Sequence, residues 1–503
     1  MLRLFFILKF IFVLSNAYCQ IQSSIWQLGT NPSMGSNYPS FGIDFNQGFA
    51  DTFTVYRPMS IFITDASICD TTGQLLFYTN GVYIANRNHD TILNCNNFNP
   101  GYSTDFYDEQ GLGHTQAAMA IPKPASATDY FIFHTSAENL VYRNIAGTYP
   151  IHLSCSEVNM TADNGLGGLN ENFKNVHVVE DTIYKGRITG CKHANGRDWW
   201  VVVKEMTSNR YYKILITPDG VSSPIGQSIG PNGYYGNIFG MATFSPDGSK
   251  YVHLDMNDTL SYMQFDRCTG EFYNQVTIAV PDSPVTLSAT LGCQFSPNSR
   301  FLYVNSYRRL WQFDTWADSI QSSMLLIDTT NNFEDKFIQQ LAPDGKIYIS
   351  TFNSNGQHPF LNVINNPDSI GIGCNFEIAG LPLPLTDTNS GIPNFPNYDL
   401  GALLGSPCDT LFNSSETPAL AFNILDLKIL PNLNKGKFTL HYHLLQNKEG
   451  IIEIINMQGR IEALFKRPMW SSILNADVNL MPGMYLVRLK SGGSLISKTM
   501  VVQ

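Results

Sequence analysis

The chain has 503 residues, with 31 Lys and Arg against 41 Asp and Glu, a formal net charge of −10. A surface of that sign repels a polyanion, so nucleic acid is excluded as a partner. Charged residues make up only 14% and aromatics 12%, beside 39 Gly and 26 Pro, the composition of many short strands joined by turns in a chain too long for one ordinary core.

The N-terminus, MLRLFFILKFIFVLSNAYCQ, reads as a secretory signal peptide over residues 1–19. Arg3 and Lys9 supply positive charge, an apolar run covers Leu4 to Leu14, and small residues Ala17 and Cys19 precede a cut before Gln20. Cys19 also raises a lipoprotein reading, for which Tyr18 is the wrong size. No later run of roughly twenty apolar residues follows, so no membrane span is expected. Eight cysteines remain after the signal: Cys69, Cys95, Cys155, Cys191, Cys268, Cys293, Cys374 and Cys408. An even number in an exported chain suits disulfides. Pairing of sequence neighbours would give Cys69–Cys95, Cys268–Cys293 and Cys374–Cys408; several buried free thiols are the alternative.

Next comes a repeat. FSPDGSKYVHL from Phe244, FSPNSRFLYVN from Phe295 and LAPDGKIYIST from Leu341 align at spacings of 51 and 46 residues. Each is a strand, a turn and a second strand; in Pro-Asp-Gly the proline presets φ and the glycine takes the position where a Cβ would clash. Weaker copies begin at Cys69, Ile121 and Lys192. A third strand follows each second one, as in YYKILIT from Tyr211, LSYMQFD from Leu260, RLWQFDT from Arg309 and LNVINN from Leu361. Three or four strands per repeat of about fifty residues predict an all-β, six- or seven-bladed propeller over residues 20–407. FGIDF from Phe41 and SGIPNF from Ser390 lie outside the six anchors and are expected to meet near the closure, in a seventh blade.

A Ser/Thr/Pro-bearing stretch, 408–424, reads as a linker. Beyond it, 425–503 alternates apolar residues with glycine turns over six or seven strands, a small Ig-like β-sandwich. ILPNLNKGKFTLHY, INMQGRI and LMPGMYLVRLKSGGSLISKTMVVQ together resemble the type A C-terminal sorting domain of the type IX secretion system. The motif positions are Pro431, Asn432, Gly436, Gly459, Gly483, Tyr485 and Lys498; Leu430 and Leu433 stand where that family usually has an aromatic residue and a second proline. The resemblance implies an address read by the outer-membrane translocon and its sorting machinery. ASICDTTGQLLFYTNGVYIANRNHDTI from Ala66, CKHANGRDWWVVVKEMTSNRYYKILITPDGV from Cys191 and LAPDGKIYISTFNSN from Leu341 make residues 26–400 similar to propeller domains of proteins secreted by gliding bacteria that use the type IX system, which implies a fold and a compartment, secreted or at the outer cell surface, more than an activity.

Several residues invite a chemical reading. His114, Thr115 and Gln116 precede a strand and could line a channel or pack against the next blade. His193 and Asp198 flank a turn, Asp198 bonding the local backbone. Of Trp199 and Trp200, one is core and the other could stack on a sugar. Glu205 ends an apolar strand, but a glycosidase needs a second carboxylate facing it. GxSxG, HExxH, P-loop, CxxC and DxDxDG patterns are absent, so no catalytic, metal or cofactor residues are assigned. Asp-Ser/Thr before an aliphatic residue or Thr occurs at Thr71, Thr91, Thr182, Thr259, Ser319, Thr329, Ser369 and Thr410. The pattern resembles the O-glycosylation acceptor of this bacterial group; turn chemistry is the alternative. The expectation is a secreted binding or structural module whose partner is a surface glycan or another surface protein, with a glycan hydrolase sited in the channel as the alternative.

Overall fold

The structure is a computed structural model. It describes residues 20–503 apart from 31–39, 234–238, 256–258, 281–290, 331–335, 353–358, 385–389, 410–424, 445–447 and 468–472. The expected signal peptide, most of the linker and Thr410 therefore lie outside the described residues.

Seven antiparallel sheets make the ring. Blade 1 is Ala66–Cys69, Leu75–Thr79 and Ile84–Asn86. Blade 2 is Ala118–Pro122, Asp129–His134 and Leu153–Asn159, with Gly168–Leu169 and Val176–Val179 along its outer edge. Blade 3 is Thr189–Lys192, Trp199–Lys204 and Arg210–Thr217, with Gly220–Val221 and Ile225–Ser228 outside. Blade 4 runs Ala242–Phe244, Lys250–Asp255, Thr259–Phe265 and Phe272–Ala279. Blade 5 runs Gly292–Phe295, Phe301–Asn305, Arg309–Asp314 and Leu325–Thr329, and blade 6 Gln339–Leu341, Ile347–Ile349, Phe360–Ile364 and Phe376–Pro382. The closing sheet, Ile25–Leu28, Ser40–Asp44 and Asp51–Val55, comes wholly from the N-terminal end.

The six sequence anchors are the first turns of blades 1 to 6. Gly248 N–H donates to Ser245 O at 2.8 Å and Gly345 N–H to Ala342 O at 3.0 Å, with φ of +71° and +79°. In the SPNS copy Ser299 takes φ +61° in the same place and donates to Ser296 O at 2.8 Å. Strands inside the ring are buried on both faces because a neighbouring blade covers each. Trp199, Val201 and Val203 face one inter-blade core, Trp200 and Val202 the next. FGIDF forms the middle strand of the closing sheet. SGIPNF does not pair with it: residues 390–398 form no strand and take another course.

The tail is a separate sandwich. Asp426–Leu430, Lys437–His443 and Ile473–Asp477 make one sheet. The other is ordered Leu433–Asn434, Ser494–Val502, Gly483–Ser491, Gly450–Asn456 and Ile461–Arg467. Its core draws only on residues between Leu425 and Val502, among them Leu427, Phe438, Tyr442, Val487 and Met500. The last two strands pair at nine positions, Gly483↔Val502 to Ser491↔Ser494. No helix among the described residues is long and apolar enough to cross a membrane.

Candidate functional site

A propeller's ligand site is sought first where its inner strands converge, and in this ring residues 390–401 occupy that place. Ser390, Ile392, Asn394 and Tyr398 are each at most 5% exposed. Asn394 is the hub. Its backbone N–H donates to Asp65 O at 2.9 Å, and its side-chain Nδ2 to Ala118 O at 3.0 Å and Ile188 O at 2.9 Å, on the approaches to three different blades. Further on, Tyr398 OH donates to Ala120 O at 2.8 Å and Asn397 Nδ2 to Pro246 O at 2.8 Å. Arg267 donates to Gly401 O, and Leu403 N–H to Ala194 O at 2.8 Å. The segment thus enters beside the starts of the inner strands and leaves at their first turns. Phe395 and Tyr348 both pack on Trp26, which closes the ring between blade 6 and the N-terminal sheet.

Cys408 then bonds Cys268, in the outer turn of blade 4, 140 positions earlier. This overturns pairing of sequence neighbours. Cys268 and Cys408 are brought together by the axial segment, whereas Cys69, Cys95, Cys155, Cys191, Cys293 and Cys374 are free and buried. Burial lifts the Cys69 and Cys191 thiols to about 12, so they are inert packing groups.

A residual cavity of about 30 Å³ touches Thr189, Thr243, Gln294, Gln340 and Phe395, room for water and not for a substrate. At the end where the segment emerges, a pocket of about 510 Å³ opens against the first turns of blades 4 to 6. Its walls include Asp247, Ser299, Ala342, Asn397 and Asp399, together with Gln20. Burial raises the Asp399 carboxyl, opposed by Lys192, and burial lowers the Lys192 ammonium to about 8. Among the described residues no cluster of His, Cys, Asp and Glu could hold a metal ion.

The singled-out residues fall as follows. Thr115 Oγ1 donates to Gly240 O at 2.6 Å. Gln116 donates to Ala242 O at 3.0 Å and accepts from Ala242 N–H at 2.8 Å. His114 is buried, which pulls its pKa to about 3, with Lys185 adding to the shift. Thr115 and Gln116 strap blade 2 to blade 4, while the His114 carbonyl accepts from Thr64 Oγ1 at 2.6 Å on the approach to blade 1. Asn195 N–H donates to His193 Nδ1 at 3.1 Å, leaving Nε2–H to donate to Cys268 O at 3.0 Å. The Asp198 carboxylate accepts from the side chains of Asn195 and Arg197, while its backbone carbonyl accepts from His193 N–H at 2.8 Å across the turn. Neither tryptophan can meet a sugar: Trp199 is 1% and Trp200 3% exposed, and Trp200 Nε1 donates to Arg267 O at 2.9 Å. Glu205 accepts from Ser208 Oγ at 2.7 Å within a turn. The axial segment itself was missed, because its bonds are tertiary and it has no strand periodicity.

Of the acceptor-like hydroxyl residues, Thr71, Thr91, Ser319 and Thr329 are exposed, Thr259 and Ser369 half-buried and Thr182 buried. In the tail, Gly436 has φ +86°, and a Cβ there would stand 2.2 Å from Val478 O. Asn432 accepts from Val501 N–H at 3.1 Å through its carbonyl, next to Pro431. Gly459 ends a turn with φ +84°, Gly483 opens the penultimate strand, Tyr485 is core and Lys498 is exposed on the last strand.

Comparison with known proteins adds the following. A Bacteroides uniformis protein assigned as a 6-phosphogluconolactonase is similar at TM-score 0.40 and 13% identity, over 73% of this chain and 98% of that one. A gluconolactonase of Xanthomonas campestris gives 0.31 and 10%, over 65% and 92%. The extracellular domain of a hybrid two-component protein of B. thetaiotaomicron gives 0.36 and 11%, over 90% and 60%. The ring assignment rests on strand pairing and not on these values. No curated protein sequence matches the chain. Residues 428–503 match the family model described as a secretion system C-terminal sorting domain. The small sandwich is therefore a type IX secretion sorting tail, and the chain is a propeller protein secreted by that system to the cell surface or beyond.

Proposed function

We propose that the chain is a binding module without a catalytic centre in its channel: a rigid propeller, 20–407, joined by the linker 408–424 to its sorting tail, 425–503. The observation that carries this reading is the axial segment. A channel hydrolase needs two carboxylates facing an open cleft, and residues 390–401 hold the place where the cleft would be. The pocket of about 510 Å³ beside Asp399 has the volume of a small-ligand site. A neutral sugar at the end of a surface glycan, or a loop of another surface protein, suits its mixed apolar and acidic wall. Pro431, Asn432, Gly436, Gly459, Gly483, Tyr485 and Lys498 carry the address. O-glycosylation of the exposed hydroxyls is a further part of this reading.

The test is a glycan array and a glycoside hydrolase screen on the purified propeller. Binding without turnover, weakened by Asp399→Asn, is the expected result. Turnover that is lost on Glu205→Gln would replace this reading with the hydrolase.

A further inference from the structure

The tail domain has a hollow that its own fold does not fill. A space of about 380 Å³ opens between the turn after Gly450–Asn456 and the segment 479–483. Met457, Met481 and Met484 stand around it, exposed to 67%, 78% and 52%. Apolar side chains that far into solvent add little to folding, and a contiguous group of them marks a contact surface. The backbone is built to hold the walls. Asn456 Oδ1 accepts from the N–H groups of Gln458 and Arg460, at 3.0 Å each, and Gly459 completes that turn with φ +84°. On the other side Tyr485 OH donates to Met481 O at 2.7 Å, which fixes the loop ahead of Gly483. Three of the motif positions, Gly459, Gly483 and Tyr485, thus shape one hollow.

Charge limits what can enter. Glu462 is the one charged residue on the wall. Its carboxylate already accepts from Asn456 Nδ2 at 2.7 Å and lies 4.0 Å from Arg460 Nε. The apolar surface continues over the sheet face to Leu486 and Ile461, 37% and 45% exposed. It stops at the Arg488–Glu453–Lys490 ion cluster. Methionine repacks readily around shapes it was not built for, which suits a surface that receives an apolar group from a partner.

We propose that this hollow and the apolar stripe beside it are the surface by which the export machinery reads the tail, with an uncharged apolar side chain on an extended translocon loop seated among Met457, Met481 and Met484. The proposal rests on the tail acting as the address of this chain. The test uses three genes in the native host: the full chain, the full chain with Met457→Gln, Met481→Gln and Met484→Gln, and a chain ending at Ala421. Surface, medium and periplasm are assayed for the propeller. The triple variant is expected to fall at least tenfold at the surface and in the medium and to collect in the periplasm. Its unfolding temperature when purified should match that of the unaltered chain, since these side chains are exposed. Should its tail fail to fold, Met481→Gln alone is judged by the same criterion. Wild-type export of the variant, with the truncated chain held back, overturns the surface and leaves the address standing. Wild-type export joined to an altered oligomeric state makes a second copy the occupant and also overturns it. Export of the truncated chain overturns the address itself.

Discussion

Gln116 Nε2 donates to Asn394 Oδ1 at 3.1 Å, although 278 positions separate the two residues. The bond joins the strap of blade 2 to the axial segment, and Asn394 passes the connection to Ala118 and Ile188. Asn394→Leu removes the side-chain donor to two buried carbonyls, Ala118 O and Ile188 O, and the acceptor of one Gln116 amide N–H, while the Gln116 bonds to Ala242 remain. Each such loss costs about 1–3 kcal/mol, so denaturant unfolding should show a loss of roughly 3 kcal/mol or more. A change below about 0.5 kcal/mol would mean that the axial segment is not anchored there.

The Cys268–Cys408 bond fixes where the chain leaves the ring. Peptide mapping without reduction should recover these two residues linked, and alkylation after unfolding should label the six others. Cys408→Ser is expected to cost about 2–4 kcal/mol, in the usual range for a bond closing a long loop. Recovery of Cys268 linked to Cys293 would contradict the course of the segment.

His134 gives the protein an acid limit. Asn99 Nδ2 donates to Gly81 O and Thr135 O, so its Oδ1 accepts from His134 Nδ1–H, while Ser156 Oγ donates to Nε2. Burial, reinforced by His152 and His177, holds the ring pKa near 3. The unfolded chain takes up a proton near 6.5 that the folded chain refuses, so stability falls as pH drops from 6.5 towards 3. At pH 5 this group alone accounts for roughly 2 kcal/mol. His134→Gln should lower stability at pH 7 yet give a shallower decline between pH 7 and 4.5. An unchanged slope would remove His134 as the cause.

Host-made protein should carry added hexose on one or more of Thr71, Thr91, Ser319 and Thr329, which the fold exposes, and none on Thr182, which it buries. Intact mass and site mapping decide this. Modification confined to Thr182 would require that sugar be added before folding.

The ring was legible where local chemistry dictates local structure. Pro-Asp-Gly fixes its own turn, and Gly248 and Gly345 adopt the left-handed φ that the motif requires. The alternation in Tyr211–Thr217 and Leu260–Phe265 likewise announces third strands. What stayed hidden is what closure decides. SGIPNFPNYDLG carries two prolines and no alternation, and its partners lie on distant blades. Nothing near Cys268 in sequence points to Cys408, since the axial segment alone delivers it. Trp200 was open to a sugar reading because a strand pattern does not tell whether a neighbour covers its second face. In the tail, the glycine at 436 was legible, while the joint work of Gly459, Gly483 and Tyr485 needed the sheet order.

The central claim is that a self-contained propeller is delivered by a dispensable fold at its end. It is tested most directly by fractionating native-host cells that make the chain ending at Ala421. The core of the tail is its own, from Leu427 to Val502, and the ring is closed by Trp26, Tyr348 and the axial segment. The truncated chain should therefore be recovered in the periplasm, protease-resistant and with the Cys268–Cys408 bond intact, and should be missing from the surface and the medium. Truncated propeller at the surface or in the medium at full-chain levels would contradict the claim.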